Sequence, residues 1–166
     1  MAACVQDLKP VSGRLDVLLS DDNIFVFDYA HDPESLDNLL SFVDKYKTAN
    51  LRLLFGCTGG GRDKSKRPKM GAVAEKYADV IYLTNDDPYF EDPMQIINDI
   101  RSGMSDGVCV EAIVAREKAI MKAMQDMSDG DVLVLAGKGG EKVTVINDQI
   151  IPFDEKEIVL DLIQKN

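Results

Sequence analysis

Two adjacent carboxylates, Asp86 and Asp87, end an apolar run in "LTNDDPYFEDP" (83–93) and are followed at once by Pro88, Tyr89 and Phe90. Asn, Asp and Pro ordinarily make a turn. Paired carboxylates at such a point can also hold a cationic substrate. Upstream, "RDKSKRPK" (62–69) carries Arg62, Lys64, Lys66, Arg67 and Lys69 against a single acid, Asp63, directly after Gly59-Gly60-Gly61. A basic segment behind glycines suggests a phosphate or carboxylate site, and its spacing is equally that of a solvated loop. A second glycine cluster lies in "AGKGGE" (136–141). Neither cluster has the GxxxxGK[ST] register of a nucleotide cradle, since Arg62 follows the first and Gly139 follows Lys138 in the second. Asp28 and the one histidine, His31, close a strand and precede a helix. There they could meet a ribose or base, although spacing alone assigns them to strand-end and helix N-terminal polarity.

Composition limits what these residues can serve. The 166 residues are about one domain, with 45% hydrophobic and 29% charged residues, as in an ordinary globular protein. Nineteen basic against 29 acidic residues give a net charge of −10, which opposes binding to a polyanion and argues against nucleic acid. No apolar run approaches the ~20 residues of a membrane span, and "MAACVQDLKP" lacks the layout of a signal peptide. Cys4, Cys57 and Cys109 are too few and too scattered for a disulfide framework or, with one histidine, a zinc site. A cytoplasmic monomer without a resident metal is expected.

The elements that must position these loops alternate along the chain. Strands are predicted at 24–30, 51–57, 79–84, 107–112 and 132–137. Between them fall helices with apolar stripes: Leu36, Leu39, Leu40 and Val43 after Asp32-Pro33; Met70, Val73, Ala74 and Tyr77 from about Pro68; Ile96, Ile97, Ile100 and Met104 after Pro93; and Ile120, Ala123, Met124 and Met127 over about 115–127. A hairpin about Asn147-Asp148 and a helix from near Asp154, with Ile158, Val159, Leu162 and Ile163, complete the pattern. The charges of "EKYAD" and "DEKE" are read as solvated faces, and the stretch before residue 24 has no clear pattern. Such alternation specifies one α/β domain with a mostly parallel sheet covered by helices. In that architecture ligands bind at the carboxyl ends of the strands, which puts 28–32, 58–67, 85–90 and 137–141 on one edge.

Taken together, "FDYAHDPESL", "FGCTGGGRDKSKRPKMGAVAEKYADVIYLTNDDPYFEDP", "IINDI" and "AGKGGE" resemble, in order and spacing, the C-terminal domain of Mur ligases of MurE type. The likeness runs from about "SGRLDV" to "IPFDEKE". It implies that the α/β domain is Rossmann-like, a mostly parallel sheet with helices on both faces, and that it is the third domain of a three-domain enzyme, parted at Met1 from its N-terminal and central domains, with about residues 1–13 as hinge or linker. Such enzymes use ATP and Mg²⁺, held mainly by the central domain, to form an acyl phosphate on UDP-MurNAc-L-Ala-D-Glu that the amine of a diamino acid attacks. The absent nucleotide cradle agrees with that division.

Position by position, the resemblance implies that Arg62 holds the incoming amino acid's carboxylate, a task its guanidinium fork suits. Asp86 and Asp87 fall on the polar pair of the family's D-N-P-R motif, and Gly137 and Glu141 on positions of G-K-G-H-E that contact the amino acid's far end. Arg14, Asp28 and His31 match positions near the hinge and the ATP. Three residues depart from the family: Tyr89 replaces the arginine that reads the second carboxylate of meso-diaminopimelate, Asp87 replaces asparagine, and Gly140 replaces histidine. Losing a cation and gaining an anion predicts L-lysine or L-ornithine over meso-diaminopimelate, with Asp86, Asp87 and Glu141 around the distal ammonium. The same loops could hold any of the three. Competing expectations are a related amide ligase of the folylpolyglutamate or cyanophycin synthetase type, and a stand-alone anion-binding module without catalysis.

Overall fold

A strand covered on both faces has no solvent side for polar residues, so continuous apolar runs become the centre of a sheet. In the computed structural model, which describes residues 11–165, β3 (Leu51–Phe55) and β6 (Val132–Ala136) are buried at every position. Around them lie β1 (Asp16–Ser20), β2 (Asn23–Asp28), β4 (Val80–Thr84) and β5 (Val110–Ile113), in a six-stranded sheet of order β1-β2-β6-β3-β4-β5. All the pairings are parallel except β1 with β2. The hinge expected over about residues 1–13 lies, except for 11–13, outside the described residues, as does Cys4.

Helices cover both faces, as the resemblance implies. Helices α1 (Pro33–Asp44), α2 (Lys66–Tyr77) and α3 (Pro93–Arg101) bury Leu36, Leu40, Met70, Ile97 and Ile100 against Leu53, Phe55, Ile81 and Val134. On the opposite face α4 (Arg116–Gln125) and α5 (Glu155–Lys165) pack Ala119, Ile120 and Val159 on Phe27, Leu54, Tyr82 and Leu135. Asp32 caps α1 through the Ser35 amide, with Pro33 in its first turn, and Asp92 caps α3 through the Met94 amide at 3.0 Å. A separate hairpin of β7 (Val143–Ile146) and β8 (Gln149–Pro152) turns at Asn147, whose φ is +56°. No helix among the described residues is long and apolar enough to cross a membrane.

Some local expectations shift. The unpatterned stretch before residue 24 contains β1, an edge strand whose exposed positions hold Val17 and Leu19, so its alternation is masked by apolar residues facing outward. Helix α2 begins two residues before Pro68, and β5 begins later than the 107–112 run. "DEKE" is not wholly solvated: Glu155 is 1% exposed.

At the amino end of the sheet the Asp131 carboxylate accepts the Asn50 and Ser128 amides at 3.0 Å each and the Arg52 Nε–H at 2.7 Å. Burial alone would raise its pKa, but these donors outweigh burial and hold it below the usual carboxylate value. A depressed carboxylate stabilises the fold above its unfolded pKa of about 3.9, and that contribution is lost as pH falls through the folded value. Asp131→Ala, which strands buried Arg52, should cost about 3–5 kcal/mol at pH 7 in urea unfolding, with a smaller acid-induced loss than the parent shows.

Candidate functional site

The carboxyl ends of β2, β3, β4 and β6 converge on a cleft of about 390 Å³ lined by Tyr29, His31, Thr58, Arg62, Asp63, Lys66, Asp86, Asp87, Tyr89, Gly137 and Glu141. Arg62, Asp86, Asp87, Tyr89, Gly137, Glu141 and His31 are thus gathered from four loops distant in sequence. The cleft belongs to a single edge because parallel strands point their carboxyl ends the same way.

Lys138 changes the reading of the acids. Its side chain is fully buried, and Nζ lies 2.8 Å from Asp87 Oδ1, 3.2 Å from Asp86 Oδ1 and 3.5 Å from Glu141 Oε2. Burial pulls the ammonium's pKa down, but Asp86 and Asp87 outweigh it and hold the pKa above the ordinary lysine value. The carboxylates expected to surround a substrate ammonium therefore already surround an ammonium of the chain. Asp87 is further committed, since Oδ1 accepts the Thr144 hydroxyl at 3.1 Å and the Val145 amide at 2.8 Å, fastening the β7–β8 hairpin to the cleft. Asp87 thus has a structural part through Oδ1 while it also lines the cleft. Tyr89 is bound to the same hairpin, accepting the Asn147 amide at 2.8 Å, and holds a positive φ of 51°.

The basic segment divides into scaffold and cleft. Arg67 is fully buried, donating to Asp99 at 2.9 Å and Glu91 at 3.1 Å. Glu91 also pairs with Lys64 at 3.0 Å and accepts the Gly61 amide at 3.3 Å, so it is the anchor of the glycine loop. The Gly59 amide reaches the Asp87 carbonyl at 2.7 Å, and a Cβ there would lie 2.3 Å from the Pro88 oxygen. Lys66 donates to the His31 carbonyl at 2.7 Å. Arg62 is exposed, lines the cleft and makes no ion pair among the described residues.

Arg14 and Asp28 do not line the cleft. Asp28 accepts the Leu15 amide at 2.7 Å and the Ala30 amide at 2.8 Å, which fixes the strand end. The Arg14 guanidinium stacks 4.6 Å from the Tyr29 ring centre, and the Tyr29 hydroxyl donates to Glu141 at 3.1 Å. Gly140 has a steric reason: a Cβ there would sit 2.8 Å from the Ser12 carbonyl, so the segment before β1 occupies the space of a larger residue. Lys138 and Glu91 stand inside quoted motifs, yet spacing does not mark them, because their roles depend on burial and on partners from other loops. Among the described residues, no group of three or more His, Cys, Asp or Glu is placed to hold a metal ion.

An open, mostly parallel sheet with a charged cleft at its carboxyl edge defines a Rossmann-like ligand-binding domain. The chain belongs to the Mur ligase family, matching the Mur ligase glutamate ligase domain over residues 13–139. It is 41% identical over 158 residues to the UDP-N-acetylmuramoyl-L-alanyl-D-glutamate–2,6-diaminopimelate ligase of Caldanaerobacter subterraneus subsp. tengcongensis, covering 94% of this chain and 33% of that protein. To the Geobacillus kaustophilus ligase of the same name it is 40% identical over 160 residues, covering 95% of this chain and 32% of the relative. A solved structure of a ligase of that name superposes with a TM-score of 0.87 at 36% identity, over 98% of this chain and 34% of the other. Folylpolyglutamate synthase from Thermotoga maritima shares the fold alone, with a TM-score of 0.58 at 18% identity, over 77% of this chain and 28% of the synthase. The chain spans about a third of the length of the curated relatives it matches.

The Glu91 anchor is testable by pH. Its bond to Lys64, then that to Arg67 and the Gly61 amide, bring its pKa from 4.5 to about 2 against the effect of burial. The contribution of Glu91 to loop order is therefore expected in full above pH 4.5 and should be lost as pH falls through about 2. The protection factor of the Gly61 amide, its exchange rate by NMR corrected for the intrinsic pH dependence, should fall over that window, and Glu91→Gln should show the same loosening at pH 7.

Proposed function

We propose that the chain is the amino-acid-binding domain of an ATP-dependent ligase that joins a diamino acid to UDP-MurNAc-L-Ala-D-Glu in the cytoplasm. The observation that carries this reading is the two-ended cleft: Arg62 and Lys66 enter from the β3 loop, and Asp86, Asp87 and Glu141 from the β4 and β6 loops. An amino acid fits with its α-carboxylate on Arg62 and its distal ammonium toward Asp86 and Glu141, added to the charge that Lys138 already balances. The domain's part is positioning: holding the nucleophilic amine against a carboxyl activated on the preceding domains makes the encounter effectively unimolecular.

ATP and Mg²⁺ do not fit this chain alone. Neither glycine loop has the phosphate-cradling register, and among the described residues no group of three or more His, Cys, Asp or Glu is placed to hold a metal ion. The nucleotide is assigned to the domains that make up the other two thirds of the relatives, with closure bringing His31 and Arg14 toward it.

The choice of diamino acid turns on Tyr89. The relatives' names favour 2,6-diaminopimelate. The lysine or ornithine preference rests on the tyrosine in place of a carboxylate-reading arginine and on Asp87, whose Oδ1 is shared with Lys138 and the hairpin. A distal ammonium is common to all three amino acids, so the acids at 86 and 141 serve each of them equally.

Phosphate release by the parent polypeptide, supplied with ATP, Mg²⁺ and UDP-MurNAc-L-Ala-D-Glu, should occur with a diamino acid and not without one. Turnover with meso-diaminopimelate discards the lysine preference, turnover with lysine or ornithine alone establishes it, and turnover with none discards the ligase. Arg62→Ala should raise KM for the amino acid by about 10- to 100-fold, the worth of a hydrogen bond between charged groups. This chain by itself should release no phosphate.

A further inference from the structure

Strands β4 and β6, which carry the Asp86-Asp87 and Gly137-Lys138 loops, are not neighbours. β3 lies between them and is followed by Gly56. No ladder hydrogen bond can therefore set the distance between the two loops. Arg116, the first residue of α4, spans that gap from beneath: its guanidinium donates to the Ala136 carbonyl at 2.9 Å and toward the Asn85 carbonyl at 3.5 Å. Those carbonyls immediately precede Gly137 and Asp86. Glu155, at the start of α5, fixes the guanidinium by accepting Nε–H at 3.0 Å and Nη2–H at 2.8 Å on one oxygen. Both side chains are buried, at 4% and 1% exposure. The Asn85 amide in turn donates to the Val114 carbonyl at 3.1 Å, two residues before Arg116.

We infer that Arg116, held by Glu155, is a positioning residue for amino-acid binding: it ties the β4 and β6 strand ends to the α4–α5 face and so sets the width of the cleft. The contacts of Lys138 and Thr144 join the loops to each other and to the hairpin. Arg116 is the tie that references both loops to the core. A second carbonyl tether could not come from lysine, whose single ammonium cannot meet Glu155 and two carbonyls in one plane. The consequence for turnover rests on the ligase reading, while the consequence for loop order does not.

The test pairs two readouts on three variants, Arg116→Lys, Arg116→Met and the double variant Arg116→Met/Glu155→Leu. Replacing both ends of a buried ion pair with apolar residues commonly restores stability, so the double variant separates lost positioning from lost folding. If the double variant fails to fold, Arg116→Lys, which keeps a cation for Glu155, takes its place. In this chain, amide exchange at Asn85 and Gly137 should rise at least 10-fold in the folded variants, with Leu53 and Val134 within twofold of the parent. In the active parent polypeptide, KM for the diamino acid should rise about 10-fold with kcat and the KM for ATP within twofold, whereas mere loss of folded protein would lower kcat and leave both KM values unchanged. Exchange at the parent rate overturns the inference, as does raised exchange with an unchanged amino-acid KM. Absence of turnover in the unmutated parent would refute the ligase reading and leave the exchange result to decide the positioning role.

Discussion

A fully buried ammonium is tolerable only where anions replace its lost water, and Lys138 meets that condition with Asp86, Asp87 and Glu141. Much of the cleft follows from this one cation. It neutralises carboxylates from the β4 and β6 loops that would otherwise repel one another, and it draws both loops to the same point. Asp87, held there, is free to accept Thr144 and Val145 and so to bring the β7–β8 hairpin against the cleft. The hairpin in turn holds the backbone of Tyr89 in a left-handed conformation that few aromatic residues adopt.

The same solution recurs wherever this acidic chain buries a base. Arg67 lies between Glu91 and Asp99, Arg52 between Asp131 and Tyr82, and Arg116 against Glu155. The Arg67 and Arg116 pairs join segments that the sheet ladder leaves unconnected, whereas Arg52 and Asp131 reinforce the β3–β6 pairing itself. Their placement is not random along the strands. Arg52 and Asp131 close the amino end, where they act on the fold, whereas Arg67, Arg116 and Lys138 set the loops of the carboxyl end, where the cleft lies.

The cleft is joined to the segment that leads into the sheet. The cleft has a cationic side, with Arg62 and Lys66, and an anionic side, with Asp86, Asp87 and Glu141. The segment 11–14 enters directly against the 139–141 loop, with Ser12 over Gly140 and Arg14 on Tyr29, so the polypeptide leading into the sheet and the loop bearing Lys138 and Glu141 share one packed contact.

The sequence by itself determined the order of strands and helices from residue 24 onward, though not the edge strand β1, because apolar runs and stripes such as "LRLLF" and Ile96-Ile97-Ile100 report burial directly. It also determined which loops share an edge, because parallel topology allows one arrangement, and it marked the family through "GGGRDKSKRP" and "NDDP". Tertiary structure alone decided which charges are free. Arg67 and Arg62 sit in one basic segment, but helix α2 turns the first into the core toward Glu91 and Asp99 and leaves the second at the cleft. Asp87 and Lys138 lie 51 positions apart and meet only because the β4 and β6 loops converge. Glu155, in a charged run, is buried because Arg116 waits beneath it. The physical reason is common to all of these: burial and pairing of a charge depend on partners from other strands, and the local pattern that specifies an element carries no record of them.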